Sequence, residues 1–346
     1  MSVSKLKPVP PADSVIRLPA DQYRHVGAPT EWWWHTGTLV ARDRVFGFEI
    51  NAANFTAVAF SQVMLTDVHK KIHYQKTALQ SGGDGWAEAD PSKDWYVKLG
   101  GPNVGPDWIT MNAPQSDPTG NMAVKAAMQD TVTDTLIAFD LRMSQQGPAF
   151  IVWGSGVAPT PPNAGGVKTN NYYYSLTRIH TSGEISIGNE VIQVEGTTWM
   201  DHEYGLFGTS GHPVKWFLQD LQLDNGVHIS NSVTFPNAPP QLDIPVQSGA
   251  TIQFPDGTTY FDGNCTLTPV GRTWPAPNSG GTFFLEFKLE IPSFEASFTV
   301  TSLMDDQAFT LPPLLGVGDN YEGIAKAVGT FCGAEVHGSA WNEQQP

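Results

Sequence analysis

The chain has 346 residues, 40% of them apolar and 15% charged, which is ample apolar surface for two cores and argues against a disordered chain. Its formal charge of −15 comes from 34 acidic against 19 basic residues with no Lys/Arg cluster, and it argues against a nucleic-acid partner or an anionic membrane surface. No run of about 18 apolar residues occurs, so no integral membrane segment is predicted.

Residues 1–19 contain four prolines and no apolar signal-like stretch, and they read as an extended N-terminal arm. The expectation is a soluble protein, cytoplasmic or secreted after processing. Glu31-Trp32-Trp33-Trp34-His35-Thr36-Gly37 follows. If this is a strand, Glu31, Trp33 and His35 share one face and Trp32 and Trp34 the other. A heavily packed core strand fits this run, and so does a strand on which Trp33, Trp34 or His35 lines a ligand pocket.

Thr131 to Met143 alternates as a strand would. Between Gln145 and Asn171 glycine, proline and asparagine dominate, which marks a linker. Beyond it, Asn171-Tyr172-Tyr173-Tyr174-Ser175 places Tyr172 and Tyr174 on one face of a further strand. Trp199-Met200-Asp201-His202-Glu203-Tyr204-Gly205 puts Trp199, Asp201 and Glu203 on one face and His202 on the other. If that face is buried, the charged carboxylates are disfavoured and at least one pKa rises. A neutral acid near pH 7 is what a proton donor requires. The competing reading has these acids solvated at a strand end or paired with Arg178 or Lys215.

Further along, Trp216 to Leu223, Asp224-Asn225-Gly226 and Val227 to Thr234 read as a hairpin, and Asp256-Gly257 marks a second. Thr282 to Ile291 alternates strictly except at Phe284. Asp319 to Val328 is the best helical candidate, weakened by Gly323 and Gly329. Cys265 and Cys332 allow one disulfide or two thiols. The histidines at 180, 202, 212 and 228 lack metal-ligand spacing, and no GxSxG elbow, phosphate loop or dinucleotide fingerprint is present. Neither a metal nor a cofactor is expected. Many strands, few helices and a central linker predict an all-β chain of two barrels or sandwiches packed together.

Glu31-Trp32-Trp33 with Gly37-Thr38-Leu39, and Gly196-Thr197-Thr198-Trp199-Met200-Asp201-His202-Glu203-Tyr204-Gly205, resemble the two signature segments of the lipocalin-like hydratase family, which spans carotenoid 1,2-hydratases and kievitone hydratase-like proteins of AttH type. Tyr321-Glu322-Gly323 through Gly338 is similar to that family's closing strands. The resemblance implies two tandem lipocalin-like, calycin-type β-barrels, an N-terminal one over 20–170 and a C-terminal one over 171–346. It also implies cofactor-free addition of water across a prenyl or terpenoid C=C bond of a hydrophobic small molecule. Asp201 is then the expected proton donor, with Glu203, Tyr172 and Tyr174 assisting. Trp199, Trp33, Trp34, His35, His202 and Trp216 would form the lining. The alternatives are a pericyclase of the same fold and a non-catalytic isoprenoid carrier.

Overall fold

A computed structural model describes residues 13–55, 58–80, 83–158, 165–207, 215–235, 240–310 and 318–345. Strand accounts for 65% of the described residues and helix for 3%, so the all-β expectation holds. Contacts divide the chain into one unit of Val15–Ala149 with Gly156–Phe207, and a second of Phe150–Ser155 with residues from 208 onward.

The first unit holds β1 (Thr30–Ala41), β2 (Arg44–Phe55), β3 (Val58–Asp67), β4 (Ile72–Gln80), β5 (Trp95–Leu99), β6 (Trp108–Ala113), β7 (Asn121–Gln129) and β8 (Leu136–Gln145). A two-residue strand, β9 (Phe150–Ile151), falls in the second unit, and β10 (Asn171–Ile187) and β11 (Glu190–Gly205) complete the first. Its strand order is β4-β3-β2-β1-β11-β10-β8-β7-β6-β5. The sheet rolls so that strands far apart in this order meet. Trp33 of β1 packs against Trp95 of β5, with ring centroids 5.9 Å apart, and Phe48 of β2 meets Phe139 of β8 at 6.0 Å. Those rings lie in the barrel interior, so every second residue of β1 and β11 points inward and the residues between point outward.

The second unit contains β12 (Lys215–Leu223), β13 (His228–Phe235), β14 (Val246–Gln253), β15 (Thr259–Pro275), β16 (Thr282–Ile291), β17 (Ala296–Ser302), β18 (Ala308–Thr310), β19 (Asp319–Phe331) and β20 (Ala334–Gln345). They run β17-β16-β15-β14-β13-β12-β20-β19-β18, and β17 also pairs with β19, which closes a barrel. Both predicted hairpins are present as β12–β13 and β14–β15. Two barrel-like sheets therefore stand where two tandem lipocalin-like barrels were expected.

Three expectations need correction. The domain boundary falls near residue 207, not 171. β10 and β11 form long ladders with β8 and β1, and a cut at 171 would strip both of those strands of a partner. The best helical candidate, Asp319 to Val328, is strand β19; paired with β17, β18 and β20, it satisfies its backbone in ladders, and glycine at 323 and 329 favours that over a helix. The strand expected to open at Thr131 starts at Leu136, because Asp130 accepts the backbone N–H groups of Val132 and Thr133 and caps a turn. Of the expected arm, residues 1–12 lie outside the described residues, while Ser14 and Ile16 are buried. Cys265 and Cys332 are both free. No helix among the described residues is long and apolar enough to cross a membrane.

Candidate active site

The two signature segments are neighbouring strands. β1 and β11 run antiparallel with Trp32 opposite Glu203, Trp33 opposite His202, and Trp34 opposite Asp201. β10 flanks β11 on its other side, pairing Tyr173 with Glu203, Tyr174 with His202 and Ser175 with Asp201. Directly opposed residues on antiparallel strands share a face. Two glycines of these segments permit the geometry. A Cβ on Gly37 would collide with the Thr197 carbonyl and the Phe48 ring. Gly205 ends β11 at φ +112°, where a side chain would strike the Asn170 carbonyl.

The outward face holds Asp201. Its Oδ1 accepts hydrogen bonds from the Ser175 hydroxyl at 2.5 Å and from the Trp199 indole N–H at 2.7 Å, and the Tyr173 side chain bonds to the same carboxyl. Asp201 is only 7% exposed. Burial pushes its pKa up to about 6, against the opposing pull of the bonds from Ser175, Trp199 and Tyr173. Glu203 shares that face, is buried, and accepts a 2.6 Å bond from Asn171. Trp32 and Trp34 stand beside the two acids, and Trp32 stacks on Phe55 at 5.8 Å.

The inward face holds a different assembly. Trp33 is fully buried and stacks on the His202 ring at 4.3 Å. The His202 Nε2 lies 3.1 Å from Glu31, and its Nδ1 lies 3.2 Å from the Tyr174 hydroxyl, which donates to Gln22. His25 stacks on Tyr204 at 3.5 Å and places Nδ1 2.9 Å from the same Glu31 oxygen. Burial would raise Glu31, but the bonds from His202 and His25 outweigh it and hold this carboxyl below its ordinary value. For His25, burial is likewise outweighed by Asp21 and Glu31, and its pKa rises, whereas burial keeps His202 below the usual imidazole value. Burial also lowers His35 to about 3, so that ring is neutral. His25, Glu31 and His202 bring three ligand-type atoms within 4.8 Å of one another, and those atoms are already hydrogen-bonded together.

The expected site residues therefore part company. Asp201, Glu203, Trp199 and Trp34 share the outward face, as strand alternation requires. Tyr172 and Tyr174, expected beside the acid, lie on the opposite face with Trp33, His35 and His202. Tyr172 stacks on Tyr204 at 5.1 Å, and Tyr174 is bound to His202. Trp216 belongs to the second unit, where its indole donates to Glu343 at 2.5 Å. Sequence reasoning missed Tyr173 and Ser175, which occupy the positions next to Asp201. Their signal was available: once β10 is known to pair with β11, the hydroxyl partner of residue 201 is the residue opposite it.

A rolled sheet that holds a carboxylic acid between an indole and two hydroxyls on its outward face defines a lipocalin-like barrel protein with a buried acid. The chain belongs to the AttH-like family, whose model matches residues 9–343. No curated sequence matches it. Among solved structures it is similar to an AttH protein (NE1406) from Nitrosomonas europaea, at TM-score 0.72 and 18% identity over 98% of this chain and 99% of that one. It is also similar to kievitone hydratase from Nectria haematococca, at TM-score 0.74 and 16% identity over 99% and 96%. CghA, solved with Sch210972, matches at TM-score 0.55 and 11% identity over 92% and 88%. At identities this low the likeness shows the fold alone.

Proposed function

We propose that this protein is a cofactor-independent hydratase acting on a prenyl or terpenoid C=C bond. The observation behind the reading is Asp201: a carboxyl withdrawn from water, with a pKa raised to about 6 and three side chains bonded to it. With Oδ1 already accepting from Ser175 and Trp199, the acid proton sits on Oδ2. Delivered to the less substituted carbon of a trisubstituted alkene, that proton leaves a tertiary carbocation. Water then forms the new C–O bond and loses a proton to the Asp201 carboxylate, which restores the acid and gives a tertiary alcohol.

The bonds from Ser175, Trp199 and Tyr173 also stabilise the carboxylate left by proton transfer, so the donor holds its proton below about pH 6 and is tolerable when ionised. A well-placed general acid contributes on the order of 100- to 10,000-fold in rate. The indole faces of Trp199, Trp34 and Trp32 offer a desolvated cation about 2 kcal/mol each where they lie against it. In this reading Glu203, which accepts a bond from Asn171, orients the attacking water. The end-to-end likeness to a protein named for hydrating kievitone supports the reaction class.

The test is incubation with prenylated phenols and acyclic terpenes in oxygen-18-labelled water, followed by mass spectrometry. The expected product carries one added molecule of labelled water from at least one substrate. If no member of the panel gains it, the proposal fails.

A further inference from the structure

The outward face of the first barrel extends well beyond the residues that hold Asp201. Ser175, Asp201, Trp34, Asn51, Gln62 and Thr77 stand directly opposite one another on β10, β11, β1, β2, β3 and β4. Their side chains therefore form one continuous row across six strands. At the Asp201 end Ser175 donates to the acid. At the far end one hydrogen bond is made, from Asn51 Nδ2 to Gln62 Oε1 at 3.2 Å.

Four polar atoms of the row from Trp34 onward make no hydrogen bond among the described residues: Trp34 Nε1, Asn51 Oδ1, Gln62 Nε2 and Thr77 Oγ1. They are not surface groups turned to solvent, since Asn51 and Gln62 are each 1% exposed and Thr77 9%. Turning the amides over does not cure the deficit. Either way round, the Asn51–Gln62 bond uses one donor and one acceptor and leaves one of each. Buried polar groups left in this state are costly, and chains seldom keep several in one line unless something bonds to them.

We propose that this row is a polar subsite that receives a hydroxyl or carbonyl group of the substrate whose alkene is protonated at Asp201. The inference rests on the hydration reading for the alkene end and adds the chemistry of the other end. A hydroxyl matches the row because it donates to Asn51 Oδ1 while accepting from Gln62 Nε2 or Trp34 Nε1. Neighbouring strands are about 4.8 Å apart. Measured along the sheet, Asn51 thus lies two strands, about 10 Å, and Gln62 three strands, about 14 Å, from Asp201. The substrate class is an oxygenated isoprenoid with its polar group that far from the reacting double bond. A pure hydrocarbon polyene would bury these amides without a partner.

The experiment compares the binding of farnesol with that of its deoxygenated hydrocarbon, read by quenching of tryptophan fluorescence. It is done in the Asp201→Asn protein so that turnover does not intrude. The same pair is then measured after Asn51→Leu and Gln62→Leu are added. The ratio of alcohol to hydrocarbon affinity should fall on the order of ten-fold in the leucine variant, a cycle that cancels the intrinsic difference in solubility between the probes. An unchanged ratio overturns the subsite, and so does failure of farnesol to bind. Should circular dichroism show the double substitution unfolded, Thr77→Val and Gln62→Met singly must each lower the ratio. Because binding is read without catalysis, loss of the subsite and loss of the hydration reading leave different signatures: the second shows only as absent labelled-water product.

Discussion

Replacing Asp201 by Asn should abolish hydration and at the same time stabilise the fold, with a pH dependence fixed by the buried carboxyl. The amide has nearly the shape of the acid and keeps an oxygen to accept from Ser175 and Trp199, but it never ionises. In the wild type the folded-state pKa is raised from the ordinary 3.8 to about 6. A raised carboxyl pKa means the folded state holds its proton more tightly than the unfolded state does. Its contribution is therefore fully present below 3.8 and is lost as pH rises through about 6. At about 1.4 kcal/mol per tenfold in proton affinity, the loss amounts to about 3 kcal/mol. The variant escapes it. Urea unfolding of both proteins across the range should show no pH-dependent difference in acid and a gap opening to about 3 kcal/mol in favour of the variant at neutral pH and above. A gap that stays constant with pH, or a variant less stable at neutral pH than in acid relative to the wild type, would refute the claim that burial raises the pKa of this carboxyl. Turnover separates the reaction classes in the same preparation. A proton donor cannot be replaced by an amide, whereas a catalyst that works by pocket shape keeps much of its rate.

Ser175→Ala removes a bond that favours the ionised acid, so the Asp201 pKa should rise further, by about one pH unit for a charge-assisted bond of ordinary strength. The alkaline limb of the rate profile, or the carboxyl carbon shift of residue 201 followed by NMR, should move upward; a downward move would mean the hydroxyl bonds chiefly to the neutral acid. Glu31→Gln breaks the buried His25–Glu31–His202 assembly and should cost about 3 kcal/mol in unfolding experiments. The Glu31 contribution is lost as pH falls below its ordinary 4.5, and the His25 contribution as pH rises above 6.5, so the deficit should be largest between those values. A deficit independent of pH would assign Glu31 a purely packing role.

Strand alternation alone separates Asp201 from His202 and Trp33 from Trp34, and the barrels bear both divisions out. That inference is safe because a strand has one parity, and the Trp-Trp-Trp and Asp-His-Glu runs need only be strands for it to apply. The tyrosine run is the opposite case. Tyr172, Tyr173 and Tyr174 have the same side chain, so no polar–apolar contrast marks which of them faces inward. An offset of one residue in pairing then exchanges the faces completely. β10 also shifts register against β11 between Leu176 and Ile179, so counting back from the hairpin at residues 188–189 does not fix the parity at Tyr173.

The same physics explains why the domain boundary was misplaced. Residues 145–171 have the composition of a linker, and composition reports only that a segment is not a strand. Which sheet the next strand joins is decided by long-range pairing, and β10 and β11 return to the first sheet and stand between β1 and β8. That return has a functional consequence. It seats the acid-bearing strand β11 directly beside the tryptophan-bearing strand β1, and β10 beside it on the other side. Residues 34, 175 and 201, far apart along the chain, become neighbours in one row through backbone ladders alone. An acid held this way, by side chains on the flanking strand β10 and on its own strand, has little freedom to turn toward water. Its raised proton affinity is therefore a property of the sheet and not of any single contact.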